Sequence, residues 1–205
     1  MPATDATFAP WLRAAADAVV IAGFCELAGD GAVYNSAAVI EGGSLIATYR
    51  KTHLWDREKL IFTPGGRLPP VVATRHGPIA VMICYDLEFP EVTRGVAVEG
   101  AELIAAPVNW PPTPRPRGER CGELITAMSA ARTNRVALAI CDRTGEERGA
   151  TFAESTAIIS ADGWVVAETG PGLGSAVADV DLGASRDKRI TDHVDVLGDR
   201  RLDLY

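Results

Sequence analysis

The chain reads as an α/β protein, a layered sandwich of strands with helices outside. Three observations predict this. Short apolar runs rich in Val, Ile and Ala, bounded by turn signals, recur from Val19 onward. Helical spacing is confined to three stretches, "PWLRAAADA", "FPEVTRGVAVEGA" and "ELITAMSAARTNR". The run from Ile79 to Val108 reads strand, helix, strand, which is the size of a βαβ unit.

The elements follow in order. "PWLRAAADA" is short and Ala-rich, with Trp11, Leu12 and Ala15 at helical spacing. "VVIAGFCEL" is a buried strand. "YNSAAVIEGGSLIATYRK" gives two strands joined at "EGGS", where glycine supplies the turn. "LIFTPGGRLPP" is rich in turn residues and is expected as a loop. "VVATRHGPIAVMIC" places two strands around the "RHGP" turn. The next helix has Pro90 near its start and Gly100 at its end. The strand "ELIAAPV" leads into "NWPPTPRPRGERCG", a long loop with four prolines and three arginines. After the third helix, "VALAIC", "STAIIS", "WVVAE" and "SAVADVDL" are expected strands. From Gly183 a polar arm runs to Tyr205, and residues 1–205 are expected to form one domain.

Composition limits the function. Of the 205 residues, 47% are hydrophobic and 23% charged, as in an ordinary globular protein. The net charge of −7 argues against nucleic acid and against an anionic membrane surface. No apolar run reaches the roughly 18 residues of a membrane span. "MPATDATFAPWLR" has neither a basic nor an apolar leader region, so a cytoplasmic protein is expected. The cysteines are Cys25, Cys84, Cys121 and Cys141, with no CxxC pair, so neither a zinc site nor a disulfide framework is expected.

A lone thiol is by default a small buried hydrophobe. Cys84 is set apart because three polar residues, Lys51, Cys84 and Asn109, follow apolar strands, and such sheets bind ligands beyond the carboxyl ends of their strands. Cys84 is therefore a candidate nucleophile. A cation and a helix N-terminus both favour the thiolate, and Lys51 is the candidate cation. Lys51 and the Tyr85 N–H are also candidate donors to an oxyanion. The base stays open among His53, His76 and His193 on one side and Glu58, Asp86, Glu88 and Glu91 on the other. A redox sensor would need a resolving cysteine, and none lies beside Cys84 in the sequence.

"YNSAAVIEGGSLIATYRKTHLWDREKLIFTPGG", "MICYDLEFPEVTR", "GAELIAAPVNWP" and "DRRLDLY" together resemble the nitrilase superfamily of carbon–nitrogen hydrolases, from about Ala18 to Tyr205. The resemblance implies an αββα sandwich, a homodimer or larger homo-oligomer, a Glu–Lys–Cys triad, and no metal or organic cofactor. It assigns the nucleophile to Cys84, the triad lysine to Lys51 and a second, supporting glutamate to Glu58. It assigns the pocket wall to Asn109 and Trp110. The triad base of the family sits in an upstream strand ending in "PE", and nothing here matches it, since Glu26 falls at a different family position. An N-terminally incomplete sandwich with an unpaired strand edge is therefore expected. Thr133 and Glu154 depart from residues common in the family, glutamate and glycine respectively. The implied reaction, on the amidase side of the family, is hydrolysis of a small aliphatic or ω-amide through a cysteine thioester. Arg115, Arg117 or Arg120 would meet a substrate carboxylate. The alternative is an inactive member that binds a ligand or a partner chain.

Overall fold

In the computed structural model, residues 6–204 are described; Met1–Asp5 and Tyr205, which belong to the expected single domain, lie outside the described residues. A short helix α1 (Ala9–Ala14) has Pro10 in its first turn, where the missing N–H costs nothing. Three antiparallel strands follow in the order β1-β2-β3: β1 (Val19–Leu27), β2 (Val33–Glu41) and β3 (Ser44–Arg50). Gly42 and Gly43 both have positive φ, +56° and +74°, as the tight turn between β2 and β3 demands.

The second sheet is built from β4 (Val71–Thr74), β5 (Gly77–Val81), β6 (Leu103–Pro107), β7 (Ala137–Cys141), β10 (Ala157–Ile159) and β11 (Val165–Glu168). Its order is β11-β10-β7-β6-β5-β4. β5, β6 and β7 are parallel, and the others join antiparallel. Helix α2 (Pro90–Val98) links β5 to β6, and α3 (Gly122–Asn134) links β6 to β7. Two-residue strands β8 (Glu146–Glu147) and β9 (Ala150–Thr151) pair between β7 and β10. A small hairpin, β12 (Arg189–Thr191) and β13 (Val194–Asp195), closes the chain.

Strand alternation decides the layers. On β2, Ala38 and Ile40 pack with Phe8, Ala15 and Phe24 beneath α1. The intervening Ala37 and Val39 pack with Tyr49, Val81 and Ile83, between the sheets. On β5 and just beyond it, Ala80 and Met82 turn the other way, onto Val92 and Val96 of α2 and Leu124, Ala127 and Ala131 of α3. The order is helix, sheet, sheet, helix, which is the αββα sandwich. Trp110 is the largest fully buried side chain, at 1% exposure. Trp110→Ala should therefore lower stability by about 3–5 kcal/mol, read as a shift in the denaturant midpoint.

Three strands face six. Among the described residues β1 pairs only with β2, so its outer edge has no strand neighbour. A groove of about 900 Å³ runs between this edge and the second sheet, lined by Val19, Ile21, Ala105 and Cys141 among others. Cys84 is not among its lining residues.

One expectation changes. "SAVADVDL" forms no strand: residues 175–181 have no regular structure, and a 3-10 turn follows at Leu182–Ser185. Its alternating pattern finds no strand to pair with among the described residues, and Val177 is 85% exposed. The polar arm, in turn, is seated on the body. Lys188 donates to the carbonyls of Asn134 and Arg135 at the C-terminal end of α3 (3.2 and 2.8 Å), which satisfies acceptors the helix leaves open. Arg186 pairs with Glu102, and Arg94 donates to the Val196 carbonyl (3.1 Å). Among the described residues no helix is long and apolar enough to cross a membrane.

Candidate active site

The turn that carries Cys84 begins where β5 ends. Ile83 is extended, Cys84 has φ +50°, and a 3-10 turn then runs from Cys84 to Glu88. A non-glycine residue in the left-handed region costs about 1–2 kcal/mol, and strain of this kind concentrates where a side chain is held out for use. Burial pushes the Cys84 thiol above its ordinary range. The Lys51 ammonium and the backbone N–H groups of Asn109 and Tyr85 oppose this, while the Glu58 carboxylate adds to it.

Lys51 immediately follows β3 and is 1% exposed. A buried ammonium needs a partner, and its Nζ donates to Glu58 Oε2 at 2.6 Å. The same oxygen accepts the Trp55 N–H (2.7 Å), and Glu58 Oε1 accepts from Asn35 Nδ2 (2.8 Å). The Lys51 backbone is held on both sides: its N–H donates to the Asn35 carbonyl, and its carbonyl accepts the Gly65 N–H, both at 2.8 Å. Lys51, Glu58 and Cys84 thus arrive together from β3, the loop after it and the end of β5.

The remaining expected residues take different places. The Tyr85 main chain reaches the sulfur, but its ring turns toward Trp55 and Phe89, each 4.9 Å away. Asn109 follows β6, with its N–H on the sulfur and its side chain exposed. The Trp110 ring, which the resemblance assigned to the pocket wall, packs in the helix-side core, against which Cys84 also packs. The Trp110 N–H donates to Asp142 Oδ1 (3.1 Å), its carbonyl accepts from Ala153 (2.9 Å), and its indole N–H has no acceptor among the described residues. Arg120 was one of three arginines offered to a substrate; it is paired with Glu168 instead.

The structure also sorts the proton-relay candidates. His53 faces Asp86 (2.9 Å) and stacks on Phe89 at 3.8 Å. His76 and His193 sit in the β4–β5 and β12–β13 turns. Glu91 is in the first turn of α2. Glu88 has its carboxyl pushed up, by burial first and then by the Glu123 carboxylate, with Lys51 opposing. Among the described residues no group of three His, Cys, Asp or Glu side chains is placed to hold a metal ion.

Sequence reasoning missed Asn35, whose signal was an amide at the start of an apolar strand. It also missed Asp142, whose half-buried carboxylate accepts the N–H groups of Trp110, Arg143 and Ser155. Glu154, where glycine is common, does have positive φ (+54°), and its carboxylate ties Thr144, Gly145 and Gly172 together.

Known proteins carry this architecture. The carbon-nitrogen hydrolase family model matches residues 3–190. A protein named nitrilase from Pyrococcus abyssi is 39% identical over 191 residues, covering 91% of this chain and 68% of its own length. Deaminated glutathione amidase of Mus musculus is 34% identical over 185 residues, covering 84% of this chain; the chain spans only 55% of that relative. Among solved structures, a variant of the amidase from Nesterenkonia sp. AN1 superposes with a TM-score of 0.80 at 26% identity, over 98% of this chain and 72% of the other. It shows the acetamide moiety of fluoroacetamide added covalently to the active-site cysteine. With the same layers, and the match running through the Lys51 and Cys84 turns, the chain belongs to the carbon–nitrogen hydrolase family, the nitrilase superfamily, on its amidase-like side.

Proposed function

We propose that this chain hydrolyses a small aliphatic or ω-amide through a thioester on Cys84. The observation that carries this reading is a buried ammonium. Lys51 is 1% exposed, tied to Glu58 at 2.6 Å, and its charge acts on the Cys84 thiol. The Cys84 sulfur attacks the amide carbon, and the carbonyl becomes an oxyanion met by the Lys51 ammonium and the Tyr85 N–H. The tetrahedral intermediate collapses, and the proton lost by the thiol leaves on the departing ammonia. Water then adds to the thioester, releasing the carboxylic acid and restoring the thiol. Because burial pushes the thiol above its ordinary range, attack needs a base to take its proton.

An activated ester bypasses part of this need, since its leaving group departs without a proton. Incubation with p-nitrophenyl acetate should release about one equivalent of nitrophenolate in a burst and leave one acetyl group on the peptide containing Cys84. The burst rate should rise with pH, and continue to rise above the ordinary thiol range, because burial raises the pKa and only the thiolate attacks. Acetylation spread over the exposed Cys141, or a burst that survives Cys84→Ala, would overturn the assignment.

A further inference from the structure

Beside the nucleophile lies a carboxylate that the proposed chemistry does not use. Asp86 is wholly buried, and five donors converge on it. Its Oδ2 accepts the Tyr49 hydroxyl (2.9 Å) and the Ile83 N–H (3.0 Å). Its Oδ1 accepts the Thr52 hydroxyl (3.1 Å), the His53 N–H (3.0 Å) and His53 Nδ1 (2.9 Å). Four of these donors belong to residues flanking Lys51. The fifth belongs to the residue before Cys84, and Asp86 itself comes two residues after it. One side chain therefore joins the end of the lysine strand to the nucleophile turn.

The arrangement is built to be rigid. Hydrogen bonds to an ionised acceptor are about twice as strong as neutral ones, and a buried carboxylate that lost them would be left unpaired. Burial, with the Asp86 charge second, pushes the Tyr49 phenol well up, so it remains a donor. The Thr52 hydroxyl also lies 2.9 Å from the Tyr49 oxygen, which closes the network on itself.

Resting on the hydrolase reading, we propose that Asp86 is a positioning residue that sets the separation of the Lys51 ammonium from the Cys84 thiol. Coulomb attraction falls with distance, steeply in effect where water enters a widened gap. A loosened Lys51 segment would therefore withdraw the charge that opposes the effect of burial on the thiol.

The test is the pH dependence of Cys84 alkylation by iodoacetamide in the full chain, resolved by peptide mass spectrometry below the unfolding temperature. Asp86→Asn preserves shape but turns an amide NH₂ toward one of the two donor sets, so the clamp opens on that side. The expected result is an upward shift of the alkylation midpoint and about a tenfold slower reaction at neutral pH, corresponding to one pKa unit. Tyr49→Phe, which removes a single donor, should shift it the same way by less. In a Lys51→Met background, Asp86→Asn should move the midpoint no further, because the two changes act through one interaction.

The sign separates the alternatives. If Asp86 acted only through its own charge, its removal would lower the midpoint. If it were merely structural, the midpoint of the folded variant would not move. Either result overturns the proposal, as does an equal shift with and without Lys51. Should Asp86→Asn fail to fold, Tyr49→Phe decides by the same criteria. The hydrolase reading is tested separately by ester acylation. A Lys51-dependent shift without acylation at Cys84 would sink that reading and keep the clamp; acylation without the shift would do the reverse.

Discussion

Lys51→Met is expected to slow acylation of Cys84 by p-nitrophenyl acetate by about 100- to 1000-fold, the usual loss when an oxyanion donor is removed. Methionine has similar length and apolar bulk, so it fills the buried stem position while deleting the ammonium. Glu58 keeps the Trp55 N–H and Asn35 Nδ2 as donors, so the loop retains most of its ties. Lys51→Arg should rescue little, because a planar guanidinium does not replace a compact ammonium in a site shaped for it. The measurement is the acylation rate at saturation set against the half-saturating ester concentration. A change confined to the latter would make Lys51 a substrate clamp and not an oxyanion donor.

Gly65→Ala should be the most damaging single-methyl change near the site. A Cβ at Gly65 would lie 2.1 Å from the Arg50 carbonyl oxygen, a backbone atom that cannot swing aside. The loop must then move, and with it the hydrogen bond from the Gly65 N–H to the Lys51 carbonyl. The expected cost is about 2–3 kcal/mol of stability, at the upper end for ordinary point mutations. Slower Cys84 acylation should accompany it, because Lys51 loses one of its two backbone anchors. Gly66→Ala is the internal control. No atom lies within 4 Å of a Cβ there, so both its melting temperature and its acylation rate should match the parent. Equal behaviour of the two variants would show that the Gly65 contact does not hold the lysine.

Much of the fold was legible because it rests on local periodicity. The apolar runs on either side of "EGGS" foretold β2 and β3, and the paired glycines foretold the turn between them; which side chains face α1 and which the second sheet came only with the structure. The βαβ order from Ile79 to Val108 foretold two parallel neighbours with their carboxyl ends together. "SAVADVDL" failed for the complementary reason. Alternation describes a strand's two faces and says nothing about whether a partner strand lies beside it.

The same division runs through the site. Residue type and strand-end placement were enough to single out Lys51, Cys84 and Asn109, and the "WDREKLIF" block added Glu58. They were not enough to choose among the nearby acids, because side chains 23 to 37 residues apart settle that choice: Asn35 with Glu58, and Tyr49 with Asp86. The surroundings of Trp110 and Arg120 were open on similar grounds. An aromatic after a strand can face a cleft or the core, and an arginine in a loop can meet a substrate or, as here, a glutamate 48 residues away.

By itself, then, the sequence determined the sandwich of strands with helices outside and the strand-end positions of Lys51 and Cys84, since each follows from a short pattern of residue types, while the pairing of the two as lysine and nucleophile rested on the family resemblance. Only the tertiary structure decided that Glu58 holds the lysine at 2.6 Å, that Asp86 gathers both segments onto one buried carboxylate, and that burial outweighs Lys51 in holding the Cys84 thiol protonated. Those outcomes depend on desolvation and on hydrogen bonds between distant segments, which come into being only when the two sheets close on each other.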